Sequence, residues 1–175
     1  AVLAKVPTHL DARRLLGAAL AGQQRWAESI TEHRQYLQAR PGDDGFEALR
    51  DEFLQRYEAR MTRETRIFEA MQPVLAALAR HTLPWGIVTN KNSRYSEPIV
   101  RALGLHGAAA TLVCGDTTPH AKPHPEPLLE AARRMRIDAA ACVYVGDDLR
   151  DVLAGKAAGM TTVAVAWGYL GLGES

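Results

Sequence analysis

Hydrophobic and polar positions follow two different rhythms along this chain, and the change falls near Trp85. From residue 8 to about 80 the spacing is helical. Asp11 stands as an N-cap ahead of Leu15, Ala18 and Ala19, and Trp26, Ile30 and His33 continue a weaker stripe. Pro41-Gly42-Asp43-Asp44-Gly45 breaks the pattern. A second helix is predicted from Phe46 to about Met61, with Phe46, Leu49, Phe53, Leu54 and Tyr57 as its apolar stripe. Arg50, Asp51, Gln55 and Glu58 fall on its solvent side. Pro73, tolerated in a first turn, opens a short helix through Leu78.

Beyond Trp85 short apolar runs alternate with amphipathic ones. Strands are predicted at 85–90, 109–114, 142–145 and 162–166, and helices at 95–103, 125–135 and 149–158. Gly104 and Gly159 close two of the helices. Unbroken apolar strands predict burial on both faces, and strand–helix repetition predicts an α/β fold around one parallel sheet. Right-handed crossovers would gather the strand C-terminal ends on one edge, where such sheets bind ligands.

Composition narrows the partners. With 21 basic against 20 acidic residues, bulk charge gives no reason to expect nucleic acid. The apolar runs are too short to span a bilayer, so no membrane partner is expected. The first residues lack the basic-then-apolar layout of a secretory leader. Cys114 and Cys142 lie in apolar runs without paired spacing, which predicts buried free thiols and a cytoplasmic setting.

Three polar clusters sit where strands finish: Thr89-Asn90-Lys91, Lys122-Pro123 and Gly146-Asp147-Asp148-Leu149-Arg150-Asp151. Phosphoryl transfer is mostly positioning and charge stabilisation. A threonine hydroxyl and nearby backbone N–H groups suit a phosphate oxygen, and a lysine neutralises phosphate and a neighbouring carboxylate. Clustered carboxylates are hard donors suited to Mg²⁺. Each cluster also has a plainer reading. Thr89-Asn90 can be a turn, Lys122 a loop charge, Asp147 or Asp148 an N-cap and Asp151 a first-turn acid. The ordered set favours the functional reading. His120, His124, Arg94 and Arg150 read as surface groups.

These segments resemble the second, third and fourth motifs of haloacid-dehalogenase-like hydrolases. The likeness runs through Trp85–Lys91, Lys122–Leu129 and Tyr144–Asp151, with Gly155, Ala158-Gly159-Met160 and Trp167-Gly168-Tyr169 in support, and covers about residues 46–170. It points to the phosphoglycolate phosphatase and N-acetylmuramic acid 6-phosphate phosphatase types. The resemblance implies a Rossmann-like core with a helical cap, shortened here, and a small phosphorylated metabolite as substrate. It also implies an aspartate nucleophile, an aspartyl-phosphate intermediate and a second aspartate that protonates the leaving alcohol. Thr89 and Asn90 would bind phosphate, Lys122 would steady phosphate and nucleophile, and Asp147 would hold Mg²⁺. Asp148 and Asp151 would make water-bridged or supporting metal contacts. A monomer or homodimer is expected.

The first family motif, Asp-x-Asp-Gly-Thr after an apolar strand, is absent from the sequence. Continuing Ala1-Val2-Leu3 in register puts Lys5 near the nucleophile position and Pro7 near the acid. Asp11 and Asp43-Asp44 lack the strand context. The chain as given is therefore expected to be inactive, with a non-catalytic binder of Mg²⁺ or a phosphorylated small molecule as the alternative. The expected organisation is a central first strand at 1–7, a cap-like segment at 8–70 (atypical over 8–40) and a core at 71–175 that stops short of the family's last strand and helix. An altered reading frame upstream of Asp43 would explain the departures. A signalling receiver domain also uses acids, Thr and Lys, but in the order acids first and Lys last.

Overall fold

The computed structural model describes residue 51 and residues 53–165. The chain divides into two compact units, Ala1–Tyr57 and Glu58–Ser175. In the first, residues 53–57 are helical, and Phe53 and Tyr57 stack one turn apart with ring centroids 6.4 Å from each other. The predicted strand at 1–7, the helices and break through residue 50, and the segment after Val165 lie outside the described residues.

The second unit follows the predicted alternation. A 3₁₀ turn at Glu69–Met71 leads into α1 (Gln72–Arg80), with Pro73 in its first turn where no intrahelical N–H is needed. There follow β1 (Gly86–Val88), α2 (Ser93–Ala102), β2 (Thr111–Val113), α3 (Glu126–Met135), β3 (Val143–Gly146), α4 (Leu149–Ala157) and β4 (Thr161–Ala164). Asn92 starts α2 by accepting the Arg94 N–H. Gly159 ends α4 at φ +72°, a left-handed conformation that glycine takes without a Cβ penalty.

The strands form two parallel pairs. β1 runs beside β2 with Gly86 opposite Thr111, and β3 beside β4 with Val143 opposite Thr161. No backbone ladder joins β1 to β3 among the described residues, and the central strand expected at 1–7 falls outside those residues. The pairs meet through side chains instead. Leu128 of α3, Ala154 of α4 and Ala158 at its C-cap are buried, and Val88 of β1, Tyr144 of β3 and Met160 pack against them.

That one-sided packing corrects one expectation. Burial on both strand faces holds neither in β3 nor in β4, because α3 and α4 cover the face that Tyr144 shares and leave Val143, Val145 and Val163 exposed. An apolar run thus reads as doubly buried only where a second layer lies over it. Cys114 is buried as predicted, and burial raises its thiol pKa. Cys142 is only half-buried, because it sits just before β3 at the end of a 3₁₀ turn. Among the described residues no helix is long and apolar enough to cross a membrane.

Candidate active site

Three strand-end segments meet around one ammonium. Lys122 Nζ donates to the Val88 carbonyl at 3.1 Å, to the Tyr144 hydroxyl at 2.9 Å and to Asp151 Oδ1 at 2.6 Å. Its side chain is 10% exposed and that of Asp151 8%, so this is a buried ion pair in which all three ammonium protons have acceptors. The Tyr144 hydroxyl in turn donates to Asp151 Oδ1 at 3.0 Å. Burial and the neighbouring Asp151 carboxylate push the Tyr144 pKa far up, so the phenol stays a neutral donor.

The loop carrying Lys122 is pinned from β1. Asn90 accepts the Lys122 N–H at 2.9 Å through Oδ1 and donates through Nδ2 to the Lys122 carbonyl at 2.8 Å. Its amide thus holds the lysine backbone, and the Lys122–Pro123 bond that follows is cis. The Thr89 N–H continues the ladder to the Val113 carbonyl at 2.9 Å, and the Thr89 hydroxyl accepts the Lys91 N–H at 3.1 Å. A hydroxyl that accepts one bond keeps its own proton for a ligand oxygen.

At the end of β3 the acidic turn divides its labour. Asp148 is the N-cap of α4, and Asp148 and Asp151 form a reciprocal capping box. Asp151 Oδ2 accepts the backbone N–H groups of Asp147 and Asp148, each at 3.2 Å. Asp148 takes the Arg150 guanidinium on both oxygens, at 2.9 and 2.6 Å, and these bonds hold its carboxyl down to about 2. Gly146 makes the turn fit: a Cβ there would run into the Asp151 side chain, with Oδ2 only 2.7 Å away. These contacts join Asn90, Lys122 and Asp151 of the residues singled out in the sequence, with Thr89 and Asp147 placed by their backbone at the ends of β1 and β3. Asn90 faces the Lys122 backbone and Asp148 faces Arg150. Tyr144 was missed; a lone tyrosine in an apolar strand two residues before Gly146 was the signal available.

The exposed groups behave as ordinary surface pairs. Arg94 is 61% exposed and bonds Glu58 through two nitrogens. On the Lys122 loop, His120 and His124 stack with ring centroids 4.4 Å apart, and His120 Nδ1 meets Glu126 Oε2 at 2.8 Å.

Parallel βαβ units with cation, hydroxyl and carboxylates at the strand C-terminal ends define a Rossmann-like α/β protein with a polar site at its sheet edge. The chain belongs to the haloacid dehalogenase-like hydrolase family, whose model matches residues 24–165. An N-acetylmuramic acid 6-phosphate phosphatase of Pseudomonas putida is 46% identical over 130 residues, 74% of this chain and 58% of that protein. A phosphoglycolate phosphatase of Xanthomonas campestris is 48% identical over 123 residues, 70% of this chain and 56% of that protein. The chain thus spans little more than half the length of these relatives. Among solved structures, a predicted phosphoglycolate phosphatase from Haemophilus somnus superposes with a TM-score of 0.72 at 23% identity, covering 82% of this chain and 64% of that one. A family hydrolase from Entamoeba histolytica gives 0.68 at 15% identity, covering 92% and 78%. At these identities the two superpositions bear on fold alone.

Proposed function

We propose that this chain is the phosphate-handling core of a phosphomonoester hydrolase of the phosphoglycolate phosphatase type, built for a small phosphorylated metabolite. The observation that carries the reading is the buried Lys122 ammonium, held between β1, β3 and α4 at the strand C-terminal edge. In this reading Thr89 donates its hydroxyl to a phosphate oxygen, and Lys122 supplies fixed positive charge. Asn90 sets the lysine in place.

The carboxylates fit Mg²⁺, which takes one or two of them and fills its shell with water and phosphate. Asp147 is assigned as the direct ligand from its place directly after β3, in the Gly146-Asp147-Asp148 turn that resembles the family's fourth motif. Asp148 would act through water, and Asp151 through the two backbone N–H groups it holds. When bound, the ion neutralises charge on phosphate oxygens.

No Asp-x-Asp-Gly-Thr motif supplies a nucleophile or acid in this sequence. That observation favours a second reading for the chain by itself: it binds Mg²⁺ and phosphate without turning substrate over. Residues 1–7 as a central strand, 8–70 as a cap, a cytoplasmic setting and a monomeric or homodimeric state belong to the same proposal.

The test is p-nitrophenyl phosphate turnover with Mg²⁺, alongside calorimetric titration of orthophosphate. Expected are no turnover and Mg²⁺-dependent orthophosphate binding that Asp147→Asn weakens at least about tenfold, the usual scale for loss of a metal-site group. Turnover abolished by Asp147→Asn would establish catalysis by this chain and displace the binding-only reading. Absence of both binding and turnover would overturn both.

A further inference from the structure

The loop that presents Lys122 carries a second constellation with different donor chemistry. His120, His124 and Glu126 each offer one ligand atom, and these atoms lie within 4.8 Å of one another. Glu126 opens α3, and the two histidines come from the turn leading into it. The Glu126 N–H donates to His124 Nδ1 at 3.2 Å, while His120 Nδ1 lies 2.8 Å from Glu126 Oε2. From these contacts we infer that His120, His124 and Glu126 form a binding site for a divalent transition-metal ion, of which Zn²⁺ is the representative probe.

Ligand chemistry sets the metal class. Two imidazoles and one carboxylate match Zn²⁺ and its borderline-soft neighbours, whereas Mg²⁺ prefers an all-oxygen shell. Metal–ligand bonds of about 2.0–2.2 Å in a tetrahedron place ligand atoms roughly 3.4 Å apart. Atoms within 4.8 Å need only small side-chain rotations to reach that spacing, and at 62% and 49% exposure the two histidine side chains have room to make them. Three protein ligands leave a coordination position for water or a small anion.

The backbone between the ligands is already ordered. Thr118 Oγ1 donates to the His120 carbonyl at 2.8 Å, the His124 N–H to the Ala121 carbonyl at 3.0 Å, and Asn90 grips Lys122 from both sides. Little chain entropy is left to lose on binding. The ion would clip residue 120 to residue 126 and close a short loop around Lys122, separate from the oxygen donors at Asp147.

The experiment is isothermal titration of the full chain with ZnCl₂ and, in parallel, MgCl₂, with Co²⁺ absorption reporting coordination number. Expected is one Zn²⁺ bound through this loop, unaffected by excess Mg²⁺. Its affinity should fall at least about tenfold in each of His120→Ala, His124→Ala and Glu126→Gln, and stay unchanged in His106→Ala. Circular dichroism identifies any variant that fails to fold, and the two exposed histidines and the half-buried Glu126 provide three independent tests. Zinc affinity equal to wild type in all three variants, or no stoichiometric zinc at all, would overturn the assignment and leave a stacked histidine pair beside a glutamate. Neither readout depends on phosphatase activity.

Discussion

Asp148 and Asp151 stand three residues apart on one turn, and each carboxylate meets one cation, yet the two pairs differ in kind. Lys122 and Asp151 are almost fully enclosed, and the other oxygen of Asp151 holds two backbone N–H groups. The Arg150–Asp148 pair lies at the surface, with 58% and 30% of the side chains exposed. Water competes for the outer pair and is excluded from the inner one. Surroundings rather than charge thus decide which pair organises the site.

Removing one partner from the inner pair should have the largest effect. Asp151→Ala leaves a buried ammonium without its carboxylate and undoes half of the capping box, so a loss of about 3–5 kcal/mol in urea unfolding is expected. That is a large share of a typical stability of about 5–15 kcal/mol. A loss below about 1 kcal/mol, the range of exposed pairs, would erase the distinction between the two.

The next test leaves every charge in place. Gly146→Ala puts a methyl against the Asp151 side chain, which Lys122, Tyr144 and two N–H groups already fix. The side chain cannot swing away without breaking those bonds, so overpacking of about 1–3 kcal/mol is expected, again by urea unfolding. Unchanged stability would mean that the inner pair tolerates displacement and is not the rigid element described above.

Local patterns carried most of this structure. The helix start at Pro73, the stop at Gly159 and the strand–helix alternation all depend on near neighbours in the chain, and such signals are visible one residue at a time. The Asn92 cap, which starts α2 two residues ahead of the predicted Tyr95, was not read. Grouping Thr89, Lys122 and the acidic turn needed only the rule that parallel strands end on one edge. Partner choice was not legible. Whether Asn90 met a ligand or the Lys122 backbone, and whether Asp148 or Asp151 received the lysine, depends on angles set by packing between distant segments. The exposure of Val143 and Val145 escaped for the same reason, since a sequence run does not say whether a layer covers it.

The smallest effect belongs to the outer pair, and pH separates it from the inner one. The Arg150 guanidinium and N–H hold the Asp148 carboxyl at about 2, against about 3.9 for an unfolded aspartate. A depressed folded-state pKa contributes stability that is complete above the unfolded value and is lost as pH falls from about 4 toward about 2. Exposure and screening discount the contribution to about 1 kcal/mol or less. Arg150→Ala should therefore cost about 0.5 kcal/mol at neutral pH, and the gap from wild type should close by about pH 2 and shrink in about 1 M salt, where the Debye length is near 3 Å. Urea midpoints of both proteins at neutral pH, at about pH 2 and in high salt check this. A gap that persisted in acid and salt would place Asp148 with Asp151 in the enclosed class, and the contrast between the pairs would then rest on position alone.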